Sequence, residues 1–512
     1  MIHTAASADV ERFRAAVAQR LGLQFEDAKL ESLADVLRRR LDATGYAPEG
    51  YLDRLEIGGL PDEVGALAQE LTVPETYFFR NNDQYRAFLE SALPDRLAAQ
   101  AGTRRLRILS AGCASGEEAY SIAILIRDAV DPSWDASILG VDLNPTILEK
   151  ARRARYSAWS LRETPVPVQQ RWFRPEGREF VLDESIRAAV TFEARNLVQE
   201  NAHLWQPGSY DIVFFRNVFM YFTPEIAHAV IARIGRALKP GGYLFLGHAE
   251  TLRGLSNDFH LQHTHDTFYY RRRDQLERPM RMSTASAPSR AGPAVVPVLV
   301  TAVVTDAVEH ADTWIDSIRQ ATERIETLTA PARPRPASLS PVAAAAWDLG
   351  RAHELLRQER FTEAIEMMQR LPPESSRDPD VLLLHAALQT HCGQLTDAEE
   401  MCQRLLAVDE LSAGAHYLLA LCREGAGDRT DAVYHNQVAT YLDPSFAMPH
   451  LHLGLLARRG GDRNTAQREL RQALLLLQRE DSSRLLLFGG GFDRETLVAL
   501  CRTELQRCGG TR

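Results

Sequence analysis

From Val10 to about Pro94, apolar side chains return every three or four positions, as Phe13, Val17, Leu21 and then Leu30, Leu33, Ala34, Leu37, Leu41. That is the spacing of a buried helix face, and it predicts a small helical bundle over residues 1–97. Beyond a join near 98–104 the pattern changes. Short apolar runs at 106–111, 137–141, 189–194, 210–215 and 243–247 alternate with helical stretches at 117–130, 145–155 and 224–238. Strand and helix alternating in this way predict an α/β domain over 98–273, a sheet with helices on both faces. Between about 157 and 190 the alternation is broken by Arg- and Pro-rich sequence with short strand-like pieces such as 179–182, which predicts a small inserted β subdomain. Residues 274–341 drift into Ala, Pro, Ser and Thr, including a Pro-Ala-Arg-Pro-Arg-Pro run at 331–336, and read as a tethering linker with room for a helix at 306–329.

After the linker the pattern is periodic. Ala364, Ala398, Ala432 and Ala466 recur at 34 residues, as do Ala352, Ala386, Ala420 and Gly454, and Gly393, Gly427 and Gly461 mark the turns between. Small residues at fixed places let paired helices pack closely, and 34 is the tetratricopeptide period. Four helix pairs over 342–480 are expected to stack into a solenoid with a concave face for protein binding, and residues 481–512 to form a capping helix near 494–505 and a tail.

The whole is thus a multidomain chain of 512 residues. No apolar run reaches membrane-spanning length, and the N-terminus scatters Asp9, Glu11 and Arg12 through an amphipathic pattern unlike a signal peptide. The six cysteines have no metal-ligand spacing, so no metal site is expected, and reduced thiols fit a cytoplasmic location. A net charge of −9 argues against general nucleic-acid binding.

Candidate chemistry gathers at the ends of the expected strands. The first run ends in Gly112-Cys113-Ala114-Ser115-Gly116-Glu117-Glu118, a glycine turn opening a helix, where glycines let backbone N–H groups approach a ligand and acids suit the helix dipole. Asp142 ends the second run; there a carboxylate can accept hydrogen bonds from both hydroxyls of a ribose, or simply cap the helix beginning at Asn144-Pro145. Asn196-Leu197 and Arg216-Asn217 follow later strands on the same edge. Two further features stand outside it. Adjacent aromatics precede Arg80 in Glu75-Thr76-Tyr77-Phe78-Phe79-Arg80, and Arg38-Arg39-Arg40 sits on a helix, as a solvated face or as a dock for an acidic partner.

Taken in order, Glu75 to Arg80, Ser115-Gly116-Glu117-Glu118-Ala119-Tyr120-Ser121, Asp142, Asn196-Leu197, Arg216-Asn217-Val218-Phe219-Met220-Tyr221-Phe222 and Gly247-His248-Ala249-Glu250 resemble the chemotaxis receptor glutamate methyltransferases, the CheR family, over residues 10–272. The resemblance implies a Rossmann-like domain that binds S-adenosylmethionine, closed over by the N-terminal helices, and a reaction that leaves S-adenosylhomocysteine and glutamate methyl esters on a receptor. Carried over by position, it implies that Thr76, Arg80, Gly112, Glu118, Asp142, Asn196, Leu197, Arg216 and Asn217 bind the cofactor and that Arg80 and Tyr221 stand at the reacting methyl group. The partners implied are the cytoplasmic coiled-coil helices of a methyl-accepting receptor, met in part by Arg38, Arg39 and Arg40, and a protein ligand of the repeats. There are two departures. Pro74 stands where the family often has Asn and lacks its side-chain hydrogen bond, and the insertion is shorter than in relatives that dock on a receptor's C-terminal pentapeptide, so that tether is not expected. A competing expectation from the same sequence is an interaction scaffold whose cofactor-binding domain is inactive or regulatory.

Overall fold

The computed structural model describes residues 7–72, 75–248, 250–265, 267–274, 349–358, 360–368, 375–490 and 492–509. Pro74, the expected linker beyond residue 274 and its 306–329 helix lie outside the described residues. The chain divides into two compact units, Met1–Gln275 and Leu276–Arg512.

The first unit opens with helices Ser7–Leu21, Leu30–Thr44, Pro48–Ile57 and Pro61–Leu71. Phe13, Val17, Leu21, Leu33, Leu37 and Leu41 are buried together, so the three- and four-residue spacing does mark one shared face. That core ends at Ala68. From Phe78 onward, side chains join a second core under the sheet, including Tyr85, Phe88 and Leu93. The helical stretch from Asn82 to Ala99 therefore packs with the sheet rather than with the bundle.

The sheet has seven strands in the order β6-β2-β1-β7-β8-β10-β9. These are β1 (Arg105–Ala111), β2 (Asp135–Asp142), β6 (Val190–Ala194), β7 (Tyr210–Phe215), β8 (Leu238–Leu246), β9 (Phe259–Thr264) and β10 (Thr267–Arg272). β6, β2, β1, β7 and β8 run parallel, and the β9–β10 hairpin adds antiparallel to β8. The strand order reverses between β1 and β7, which makes the C-terminal edge there the crevice where open α/β sheets hold ligands. The hairpin was not among the expected strands, and β8 starts earlier than expected. Its Lys239 reaches both oxygens of the buried Asp211 at 2.9 Å, and the pairing with β7 slips there, from Tyr210 opposite Leu238 to Ile212 opposite Tyr243, so Pro240-Gly241-Gly242 bulge out of the ladder where the sequence read as a turn. The expected insertion is a three-stranded sheet ordered β3-β5-β4, from β3 (Arg155–Ser157), β4 (Phe173–Glu176) and β5 (Glu179–Leu182).

In the second unit Phe361, Leu395, Arg429 and Arg463 open successive helices at an interval of 34 residues. Each is preceded by a partner helix: Leu349–Arg357, Pro379–His391, Ala413–Gly425 and Ala447–Arg459. Ala352, Ala386, Ala420, Ala364, Ala398, Ala432 and Ala466 are all fully buried, and a Cβ on Gly454 would stand 2.6 Å from Leu470 Cγ. The small residues recur because the paired backbones leave no room for more. Helix Arg494–Gly509 packs on the last pair, with Leu497 and Cys501 buried and Glu504 ion-paired to Arg458 at 2.5 Å.

Candidate functional site

At the C-terminal edge of the sheet one cavity is lined by Thr76, Arg80, Gly112, Glu118, Asp142, Asn196, Leu197, Arg216, Asn217 and Tyr221, so the residues singled out from separate motifs meet in one place. Leu21 and Leu23 of the N-terminal bundle also line it. The bundle is fixed there by main-chain contacts. Gln24 N–H donates to Tyr221 O at 2.7 Å, and the Asn196 side-chain amide donates to Arg20 O at 2.8 Å.

Arg80 is held by its surroundings rather than by its own side chain. Phe78 packs edge-on against Tyr156 and Phe173 at 4.8 and 4.9 Å, and Phe79 N–H donates to Ser121 Oγ at 3.0 Å. Phe79 and Asn81, on either side, adopt φ of 58° and 62°, a left-handed conformation that costs energy in residues with a Cβ. Beneath them lies Arg216, buried, which donates to Arg80 O at 2.6 Å, to Tyr85 Oη at 3.4 Å and to Glu118 at 3.3 Å. Glu118 also accepts from Ser110 Oγ at 2.7 Å. The Arg80 guanidinium donates to Glu75 O at 3.0 Å and, among the described residues, has no carboxylate within ion-pair distance.

Two further carboxyls, a part-buried Asp142 and a buried Glu250, shape the rest. Asp142 accepts from Ala114 N–H on one oxygen and Asn144 N–H on the other, both at 2.9 Å. It does not cap the following helix, a task taken by Asn144, whose side chain accepts from Thr146 and Ile147 N–H. Glu250 accepts from Gly247 N–H at 2.8 Å and Asn217 N–H at 2.7 Å, and from Met220 N–H at 3.3 Å, so it ties down the turn that carries Tyr221. Loss of water pushes the carboxyls of Asp142, Glu118 and Glu250 above the ordinary range, against the pull of Arg216 on Glu118 and of the backbone N–H groups on the other two.

Comparison with known proteins decides what this edge belongs to. Residues 74–268 match the CheR methyltransferase SAM-binding domain. Chemotaxis protein methyltransferase 2 of Vibrio cholerae is 32% identical over 273 residues, covering 51% of this chain and 92% of the relative. The chain belongs to the CheR methyltransferase family. Chemotaxis protein methyltransferase 1 of Pseudomonas aeruginosa is 31% identical over 52% of this chain and 99% of its own length, and the probable biofilm formation methyltransferase WspC of the same species is 29% identical over 65% and 76%. A TPR protein of Thermus thermophilus overlays on 31% of this chain and 88% of its own, with 22% identity and a TM-score of 0.24. The repeat assignment rests on the chain's own period.

As a CheR protein the chain uses S-adenosylmethionine as methyl donor, and the donor set of the cavity fits that molecule. Each Asp142 oxygen keeps acceptor capacity for a sugar hydroxyl after its backbone bonds. Arg216 Nε is buried without a partner among the described residues, a donor suited to an amino-acid carboxylate. The glycine turn works differently from the sequence expectation. Gly112 N–H donates to Val141 O and Gly116 N–H to Cys113 O, so neither is free for a ligand. Glycine is required at 112 because φ is 79° and a Cβ would meet Val218 at 2.3 Å.

Arg38, Arg39 and Arg40 are not part of the cavity. Arg38 pairs with Asp35, and Arg39 with Glu70 at 2.7 Å. Arg40 forks onto Glu63 at 2.6 and 3.0 Å, and Tyr51 Oη donates to the same carboxylate at 2.9 Å. Two contributors were not singled out as site residues from the sequence. Glu250 stands in the Gly247-His248-Ala249-Glu250 motif, but it works through backbone N–H groups, which any residue supplies. Arg162, from the insertion, stacks its guanidinium 3.6 Å above Tyr77 and 4.3 Å from Trp159, bracing the mouth beside Arg80.

Proposed function

We propose that this protein transfers the methyl group of S-adenosylmethionine to glutamate side chains of a methyl-accepting receptor, forming methyl esters that remove one negative charge each. The observation that carries the reading is Arg80: a guanidinium at the mouth of the cavity, with no carboxylate within ion-pair distance among the described residues, on a backbone held from below by Arg216.

When bound, S-adenosylmethionine supplies a methyl group activated by a positively charged sulfur. Asp142, Glu118, Arg216 and Asn217 would hold it. A glutamate side chain, with an ordinary pKa near about 4.3, is already ionised at neutral pH, so the site needs no strong base. What it needs is placement and exclusion of water. Arg80 grips the incoming carboxylate through charge-assisted hydrogen bonds, the exposed Tyr221 hydroxyl orients it from the other side, and Leu21, Leu23 and Phe222 close the cavity to solvent. The repeats offer a further surface for a protein partner.

The test is labelled S-adenosylmethionine with receptor cytoplasmic fragments. Label released from the fragment as methanol by mild base supports the reading, and base-stable label or none overturns it. Arg80→Ala is expected to lower turnover by roughly a hundredfold or more while cofactor titration by calorimetry stays within a few fold. Undiminished turnover removes Arg80 from its role.

A further inference from the structure

Four helix pairs do not end the repeat unit. About one period after Ala447 the chain starts another helix, Ser482–Phe488, but it stops after 7 residues at Gly489. In the series Ala352, Ala386, Ala420, Gly454 the next place falls to Phe488, an aromatic where the period demands a small residue. It cannot stack as a fifth repeat. Instead it lies across the first helices of earlier pairs, the ones that line the inner face of such a solenoid.

The contacts span three repeats. The Phe488 ring sits 5.9 Å from Tyr417, nearly perpendicular, and 5.0 Å from Phe446, while its carbonyl accepts from Tyr417 Oη at 3.4 Å. A Cβ on Gly414 would stand 2.8 Å from the same ring. His391 Nε2 meets Leu487 O at 3.2 Å, and Leu486 and Leu487 join the apolar cluster of the first two pairs. One turn before the ring, Arg484 lies 4.4 Å over Phe446 and pairs with Asp443 at 3.1 Å.

We propose that this inner groove is a binding site for a short amphipathic helix of another protein, one that presents leucines and an aromatic ring with a basic residue a turn before it, and that Ser482–Phe488 is an internal stand-in that such a ligand displaces. The stand-in defines the ligand chemistry: an apolar floor for leucine and an aromatic ring, Tyr417 and His391 for the helix's terminal carbonyls, and Asp443 for its cation. A helix of 7 residues has too few internal hydrogen bonds to persist by itself, so its shape depends on the groove. Gly489 and Gly490, the latter with φ of 64°, form a tether able to adopt other conformations on release. The proposal rests on reading the repeats as a protein-binding surface, and it is independent of the methyl-transfer chemistry.

The probe is a labelled synthetic peptide of residues 478–492 of this chain, titrated by fluorescence anisotropy into the full-length protein. It is expected to bind Phe488→Ala at least about tenfold tighter than the parent, and a peptide carrying Arg484→Glu is expected to lose that binding. No binding to either protein overturns the proposal. Should Phe488→Ala fail to fold, hydrogen exchange on the parent decides: amides of 485–489 are expected to open at least about tenfold more readily than those of 413–425, and equal protection makes the helix a fixed part of the fold and overturns it. A partner that binds the repeats elsewhere is unaffected by Phe488→Ala, which separates failure of this groove from failure of the broader reading.

Discussion

Around the cavity, polar groups are held by one another and by a backbone under tension. Around the groove of the repeats, relaxed helices present an apolar floor that the chain itself covers. Among the described residues, every non-glycine with positive φ lies in the first unit, and Phe79, Asn81, Ala114 and Asn217 border the cavity or flank Arg80. None lies in the repeats. On the proposed reading, a site that places a reacting carboxylate stores strain to fix donors in advance, whereas a surface that recognises a helix needs only matched volume. The first is damaged by losing a charge, the second by changing a shape.

The largest break in that comparison is expected at Arg216. It is the buried cation that joins Glu118, Tyr85 and the Arg80 carbonyl, so Arg216→Met removes the cation facing Glu118 and leaves that carboxyl only its Ser110 hydrogen bond among these contacts. Removing one partner of a buried ion pair costs about 3–5 kcal/mol, and urea unfolding of the first unit should show it. A loss under about 1 kcal/mol means that the cavity's polar network does not hold the fold.

The two regions also differed in how much of them could be read in advance. Gly112 and Asp142 were legible because each ends an apolar run just before a helical stretch, which puts it at the C-terminal edge of a parallel sheet, and the repeats because the small residues recur. The β9–β10 hairpin was not, since half-buried His, Gln and Thr at a sheet edge give no clean alternation. Ser482–Phe488 was not separated from the expected cap and tail because its contacts are distant in sequence, 96 positions for Leu487 with His391, 71 for Phe488 with Tyr417 and 42 for Phe488 with Phe446. The Gly112 turn carries a second requirement that the sequence did not show: besides lining the cavity, its glycine makes room for Val218.

Acid should pull the two units in opposite directions. His416 and His435 face each other through their Nδ1 atoms at 2.9 Å, and burial holds both below the ordinary histidine range. Unfolded histidines take up protons near about pH 6.5 while the folded pair does not, so repeat stability falls as pH drops from about 6.5, by up to about 1.4 kcal/mol per pH unit for each histidine. Loss of water raises the carboxyls of Asp142, Glu118 and Glu250, so the folded first unit binds protons at a pH where the unfolded chain has released them, and its stability rises over the same descent. Calorimetry of the full chain between about pH 6.5 and 5 is expected to show one melting transition moving down and the other holding or moving up. Both moving down together would contradict the assignment of these burial costs.

The smallest effect tests the contrast within one helix. Arg40 is committed: its fork on Glu63, shared with Tyr51, holds two helices together at a half-buried site. Arg38 and Arg39 are tied only to Asp35 and Glu70 at the surface, where an ion pair is worth about 0–1 kcal/mol and an incoming acidic helix can compete for it. Arg39→Glu should therefore leave the melting temperature nearly unchanged, yet raise KM for an acidic receptor fragment a few fold at low salt, an increase that fades as salt screens the charge. Arg40→Glu should instead destabilise the bundle, because it sets two carboxylates against each other where Tyr51 is buried. If KM for the Arg39 variant ignores both the reversed charge and the salt, this helix is no dock for the substrate, and all three arginines serve only to hold or solvate the bundle.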